Sequence, residues 1–295
     1  MEQKVARYAD EAMFQAVPLV REGDEVKPRV TVIAFTPDPL RVAAAVNRMY
    51  KGQPCTPYDI SRLEAEAFAA DCGRSAIAAP LEWVQVALLI EGVSRAFTHQ
   101  LVRQRTATYA QESLRFAVKD NAAWEVVMPP SLSGLPGDSP ARRIWEDCVR
   151  KMAWSYNALV EHGIPAEDAR GLLPTNIATR VHYRTNLRDL IQHSGLRLCS
   201  QAQHEWKQVW VEIIRAILKH AQIEDPDNVW QYRQIIRLFR PICYQTGKCE
   251  FMGAADRWCV IRDRVEAHRA RGEGPEQWDD IDPHACLHPE AARRV

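Results

Sequence analysis

No stretch of this chain approaches the roughly 20 consecutive apolar residues that a membrane-spanning helix needs, so no membrane partner is expected. The opening segment, Met1 to Tyr8, has no apolar core of the kind that begins a secretory signal, and a cytoplasmic protein is expected. Charge of one sign is not in excess either. Lysine plus arginine and aspartate plus glutamate number 38 each. A surface that neutralises a nucleic-acid backbone carries a basic surplus, so no nucleic-acid partner is expected and the ligands should be small molecules. A disulfide framework is also missing. The eight cysteines, at 55, 72, 148, 199, 243, 249, 259 and 286, are scattered singly, and reduced thiols are expected. Cys243, Cys249, Cys259, His284, Cys286 and His288 crowd the last part of the chain, yet no Cys-x2-Cys pair anchors a zinc site, so no metal is expected. Internal repeats and low-complexity linkers are absent.

What is present is the composition of a packed globular protein. Apolar residues make up 46% of the 295 and charged residues 26%, enough for a sizeable core beneath a solvated surface. Residues 1–28 are polar and weakly periodic and read as an N-terminal arm. Residues 29–36 are rich in β-branched side chains and read as a strand, with an alanine-rich helix near 39–49. The spacing predicts a second helix over 57–70 and a largely apolar strand over 83–90 that feeds a third helix. Prolines and glycines from 129 to 140 mark a loop, Ser139-Pro140 suits the start of a helix running to about Glu161, and Pro165 opens a short helix holding Arg170. A strand over 177–183 precedes a long helical stretch from Asn186 to about Ala221, with a break expected at Ser194-Gly195. Beyond Asp225 the pattern is less regular, apart from a helix over 230–239. The fold class read from this order is α+β, with a main domain over 29–224 and a C-terminal helical extension over 225–295.

Residues 98–116 hold the densest chemistry. Val93, Ala96, Phe97 and Leu101 recur at helical spacing, and another face of that helix would carry Gln100, Arg103 and Gln104 together. Beyond Arg105 the residues suit an extended segment in which Gln111, Ser113 and Arg115 point the same way. Guanidinium forks beside a hydroxyl and amides are suited to gripping phosphate and the edge of a heterocycle. This is a candidate anion and nucleotide site. Further on, Asp189, His193, Arg197 and Gln201 recur at fours and form a polar stripe beside the apolar Leu187, Leu190, Ile191 and Leu198. No Ser-His-Asp arrangement surrounds Ser113, which is read as a ligand contact and not a nucleophile. His99, His193 and His204 stand alone and read as structural.

The segment resembles the signature of flavin-dependent thymidylate synthases, Arg-His-Arg followed after seven residues by Ser. Here Gln104 stands in place of the histidine, between Arg103 and Arg105 and ahead of Ser113. The resemblance continues, in family order and over roughly residues 30–215, through the blocks 80–82, 91–102, 127–131, 169–174, 186–188 and 196–205. It implies a central, mainly antiparallel sheet flanked by long helices, and reductive methylation of dUMP to dTMP with FAD, NADPH and methylenetetrahydrofolate. It further implies that Arg197 contacts the pyrimidine and serves catalysis, by stabilising negative charge on the uracil carbonyl as C5 becomes nucleophilic. Gln100, Gln111, Glu112, Ser113, Arg115 and Arg170 would hold dUMP with it. Glu82, Arg103, Gln104, Arg105, Asn186 and Gln192 would line the flavin site. A homotetramer with active sites at subunit interfaces is the assembly it implies. Gln201 is a second departure, where relatives commonly carry histidine or arginine. Because Gln104 cannot carry charge or shuttle a proton as histidine can, two alternatives stand beside the main reading. One is a divergent flavin-dependent pyrimidine nucleotide methyltransferase or hydroxymethyltransferase; the other is an inactive nucleotide-binding homologue.

Overall fold

The computed structural model describes residues 26–72, 78–117, 125–251, 259, 261–278 and 280–282. All but the last three residues of the expected arm over 1–28 lie outside the described residues, as do His284, Cys286 and His288. Four strands, β1 Arg29–Phe35, β2 Gln85–Ser94, β3 Thr108–Gln111 and β4 Ala178–Asn186, form one sheet in the order β1-β2-β4-β3. Each neighbouring pair runs antiparallel. At the three pairings Thr36 N–H donates to Gln85 O, Leu187 N–H to Val84 O, and Glu112 N–H to Arg180 O. Strand β4 alternates buried and exposed residues as a sheet with one wet face should. The α+β class and the antiparallel sheet match the expectation.

The described chain divides into two compact units, one of residues 26–28, 91–101 and 110–181, the other of 29–90, 102–109 and 182–282. In the first, helix α3 Arg95–Leu101 follows β2, and the long helix α4 Pro140–Glu161 supplies the core. Val149, Ala153 and Tyr156 fall on one stripe of α4 and pack with Val126, Ala169 and Ile177, while Trp145, Met152 and Val160 flank them. Ala169 closes a single helical turn, α5 Ala166–Ala169, and Arg170 begins the tighter turn after it. Gly92 is a close approach in β2. Its φ is +66°, and a Cβ there would stand 2.3 Å from the Lys27 carbonyl oxygen, so only glycine fits.

In the second unit, α1 Pro39–Tyr50 and α2 Arg62–Cys72 lie side by side, and α7 Glu205–Glu224 runs along β1. Helix α8 Val229–Leu238 rests on α1, α2 and α7. Its fully buried Gln231 closes α1 from afar. The Oε1 accepts from the N–H groups of Leu40 at 2.8 Å and Arg41 at 3.3 Å, and the Nε2 donates to Asp38 Oδ1 at 2.7 Å. Asp38, with φ +48°, makes no side-chain cap of its own, so Gln231 satisfies the orphan donors of α1 instead. Helix α8 is thereby built into this unit.

Several elements depart from the sequence expectation. The helix expected over 57–70 is broken: a tight turn Pro57–Asp59, closed by the Asp59 carboxylate on Thr56 N–H at 2.8 Å, precedes α2. Helix α3 stops at Leu101, so Gln100, Arg103 and Gln104 do not share a helical face, and the latter two lie in the turn that follows. Strand β3 stops at Gln111. The N–H groups of Phe116 and Ala117 donate back to Ser113 O, so Ser113 and Arg115 sit in a turn and not on one side of a strand. The long helical stretch is two helices, α6 Leu187–Arg197 and α7, separated by 198–204. Ser194-Gly195 is not the break. Both are buried inside α6, where the Gln245 carboxamide of α9 Ile242–Thr246 lies against Gly195 in space a side chain would fill. The polar stripe dissolves accordingly, with His193 buried and Gln201 beyond the helix.

Candidate functional site

Candidate site residues occur in both units, and each set is described by itself. In the second unit the turn after α3 presents Arg103 and Arg105 to solvent, and neither makes a hydrogen bond or ion pair among the described residues. Between them Gln104 is half-buried and held from three sides. Its Oε1 accepts from the Tyr183 hydroxyl at 2.8 Å, its Nε2 donates to the Asp189 carbonyl at 3.4 Å, and its own carbonyl accepts from the Tyr109 hydroxyl at 2.8 Å. The two tyrosine rings stack with centroids 5.6 Å apart, and burial pushes the Tyr109 phenol up to about 12 and Tyr183 higher still, so both remain donors. One acceptor and one donor on a planar group is also what a neutral imidazole offers. The carboxamide therefore offers the hydrogen bonds that a neutral imidazole could, without an imidazole's ability to charge. Two uncommitted guanidinium groups flanking a fixed amide suit the diphosphate and polar ring edge of a flavin dinucleotide.

The other residues assigned to the flavin are more committed. Asn186 caps α6: its Oδ1 accepts from Asp189 N–H at 2.9 Å and its Nδ2 donates to Asp189 Oδ2 at 2.8 Å. Glu82 pairs with Arg188. Gln192 is exposed on α6.

Arg197, at the end of α6, is half-buried, its Nε donating to His193 Nε2 at 3.2 Å and its guanidinium lying 4.5 Å from the Trp206 ring centroid. Burial, and after it the neighbouring Arg197 charge, push the His193 imidazole down to about 3. His193 is thus a neutral acceptor that orients the guanidinium, more than the structural histidine the sequence suggested.

In the first unit a cluster of arginines gathers around Glu167. Both Nε and Nη2 of Arg115 reach Glu167 Oε2 at 2.9 Å, and Arg170 Nε donates to the Glu167 carbonyl at 3.0 Å. Arg95 joins them. Its pKa is lowered first by burial and then by the charge of Arg170, and its Nη1 donates to Glu112 O at 3.3 Å. Of the three guanidinium groups only Arg115 pairs with the Glu167 carboxylate, while Arg170 bonds its backbone carbonyl and Arg95 feels the Glu112 carboxylate; such a group of cations suits a phosphate. Sequence reasoning missed Arg95; its only signal was an arginine at the junction of a strand and a helix. Gln111 Nε2 donates to Thr98 Oγ1 at 2.7 Å, Ser113 Oγ accepts from Arg115 N–H at 3.3 Å, and the Glu112 carboxylate accepts from Thr179 Oγ1 at 3.4 Å. Gln100 sits half-buried on α3.

A four-stranded antiparallel α+β protein with arginine-bearing candidate sites is the class these features define. Residues 31–221 match the family described as thymidylate synthase complementing protein, and the chain belongs to that family. Among its relatives is the flavin-dependent thymidylate synthase of Geobacter sulfurreducens, 34% identical over 192 residues that span 64% of this chain and 82% of the relative. The flavin-dependent thymidylate synthase of Pyrococcus horikoshii is 30% identical over 241 residues, 80% of this chain and 95% of the relative. A similar solved structure is that of a UMP/dUMP methylase from Streptomyces cacaoi bound with 5-Br dUMP. It has a TM-score of 0.56 and 22% identity, and covers 66% of this chain and 92% of that one, a likeness of fold.

Proposed function

We propose that this chain is a flavin-dependent thymidylate synthase, which methylates dUMP to dTMP with FAD as the flavin, methylenetetrahydrofolate as carbon donor and NADPH as reductant. Family membership supports the enzyme class. The observation that carries the assignment of residues is the pair of uncommitted guanidinium groups, Arg103 and Arg105, on either side of the immobilised Gln104. When bound, the flavin supplies the hydride and one-carbon chemistry that no side chain offers. Arg103 and Arg105 bind its diphosphate, and Gln104 positions its polar edge. Arg95, Arg115 and Arg170 take the nucleotide phosphate, with Ser113, Gln111, Glu112 and Gln100 close to it in sequence and structure. Arg197, oriented by His193 and Trp206, stabilises the negative charge that develops on the uracil carbonyl. Residues 225–295 form an extension beyond the family match, and the active assembly is a homotetramer in the cytoplasm whose sites draw on more than one subunit.

The test uses the purified full chain. Its visible spectrum is recorded with and without dUMP, followed by turnover with NADPH and methylenetetrahydrofolate on dUMP, UMP and dCMP. The expected result is bound flavin whose bands shift with dUMP, and dTMP as product. Flavin binding with no product from any nucleotide overturns the enzymatic reading, and a methylated product from UMP alone reassigns the substrate.

A further inference from the structure

Four of the cysteines that look scattered in the sequence come together in the second unit. Cys199 lies just past the end of α6, Cys243 in α9, and Cys249 and Cys259 in the segment leading to α10 Arg262–Ala270. All four line one cavity. None of the four is in a disulfide. The same cavity is lined by Ser200, only 1% exposed, whose Oγ has no hydrogen-bond partner among the described residues. A buried, unsatisfied hydroxyl costs stability unless something meets it. Arg262 also lines the cavity and supplies a positive charge to it.

We propose that Cys199, Cys243, Cys249 and Cys259 are the ligands of a [4Fe–4S] cluster that ties the C-terminal helices to the end of the helix carrying Arg197. Four thiolates from distant parts of the chain are a complete ligand set for such a cluster. Size separates it from zinc. Structural zinc sites draw thiolates to one point, usually from pairs two to four residues apart. Here five residues separate Cys243 from Cys249, nine separate Cys249 from Cys259, and 43 separate Cys199 from Cys243. No group of three described His, Cys, Asp or Glu side chains converges on an ion-sized point. The thiols instead line the wall of one shared cavity. In that arrangement the Ser200 hydroxyl donates to a cluster sulfur, and the Arg262 guanidinium offsets the negative charge of four thiolates. The cluster acts as a staple. It joins α9, which already packs on Gly195 of α6, to the chain just beyond Arg197, and so holds that arginine's helix in place.

The experiment measures iron, zinc and acid-labile sulfide per chain in the full-length protein purified without oxygen, because flavin absorption masks the visible bands of a cluster. About four iron and four sulfide per chain are expected, with little zinc. Each of Cys199→Ser, Cys243→Ser, Cys249→Ser and Cys259→Ser should lose most of the iron, while Cys148→Ser, at an exposed thiol outside the cavity, keeps it. A native chain without iron, or iron retained equally in all five variants, overturns the proposal. So does about one zinc per chain lost in the four variants, which would leave a thiolate site but no cluster. Should a cysteine variant fail to fold, the Mössbauer spectrum of the iron-enriched native chain decides between sulfur-coordinated cluster iron and adventitious iron.

Discussion

At the scale of single residues the candidate site depends on how two polar groups are held. Arg197 gains its orientation from a neutral partner, His193, and from the face of Trp206. Replacing it by alanine should lower kcat by about 10²–10³-fold while bound flavin is retained, and Arg197→Lys should recover part of the loss; steady-state kinetics with flavin quantified in parallel checks this. His193 ties activity to pH through stability. Its folded pKa, near 3, lies below the usual 6.5, so the unfolded chain binds the extra proton first. The stabilisation is fully present above pH 6.5 and is lost as pH falls from 6.5 towards 3, at no more than about 1.4 kcal/mol per pH unit. Denaturant titrations across that window should show the decline, and His193→Gln should flatten it. Gln104 makes a different demand. Because it needs one acceptor and one donor, Gln104→His should keep flavin affinity within a few-fold, whereas Gln104→Leu leaves the Tyr183 hydroxyl and a half-buried region unsatisfied and should weaken it by about tenfold. Equal flavin affinity in the leucine variant would show that the clamp is irrelevant to the cofactor.

Among elements, the strands and the amphipathic helices follow their local pattern, because alternation and helical spacing are short-range signals that burial rewards directly. Strand β1, helix α1, helix α4 and helix α8 stand within a residue or two of where the sequence puts them. The ends of other elements were not legible. Helix α3 stops at Leu101 because Tyr109, Tyr183 and the Asp189 carbonyl take up Gln104 and turn the chain. The helix after Asn186 breaks at 198–204, while Ser194-Gly195 stays helical to receive Gln245. Backbone constraint gives a sharp test in β2. Gly92→Ala places a Cβ against the Lys27 carbonyl at a positive φ, and should cost about 2 kcal/mol or more, seen as a fall of several degrees in Tm. An unchanged Tm would mean that the segment before β1 is not held there.

For the whole molecule, acidic and basic residues balance, and no helix among the described residues is long and apolar enough to cross a membrane. Ligands that bind only the folded chain should stabilise it by mass action. FAD at a hundred times its Kd should add about 2.7 kcal/mol to the unfolding free energy, and a thermal shift that grows with FAD concentration is the readout. By itself the sequence determined the fold class and the order of the arginine-bearing blocks, because periodicity and a spaced motif are written in neighbouring residues. Which of those residues act together was decided only by the tertiary structure. Gln104 meets Tyr183 across 79 positions, and Gln231 caps α1 across 191. The cysteines converge on one cavity although no two of them are adjacent in sequence. Hydrogen-bond satisfaction and burial operate on distances in space, and once the chain is packed those distances bear no relation to spacing along it.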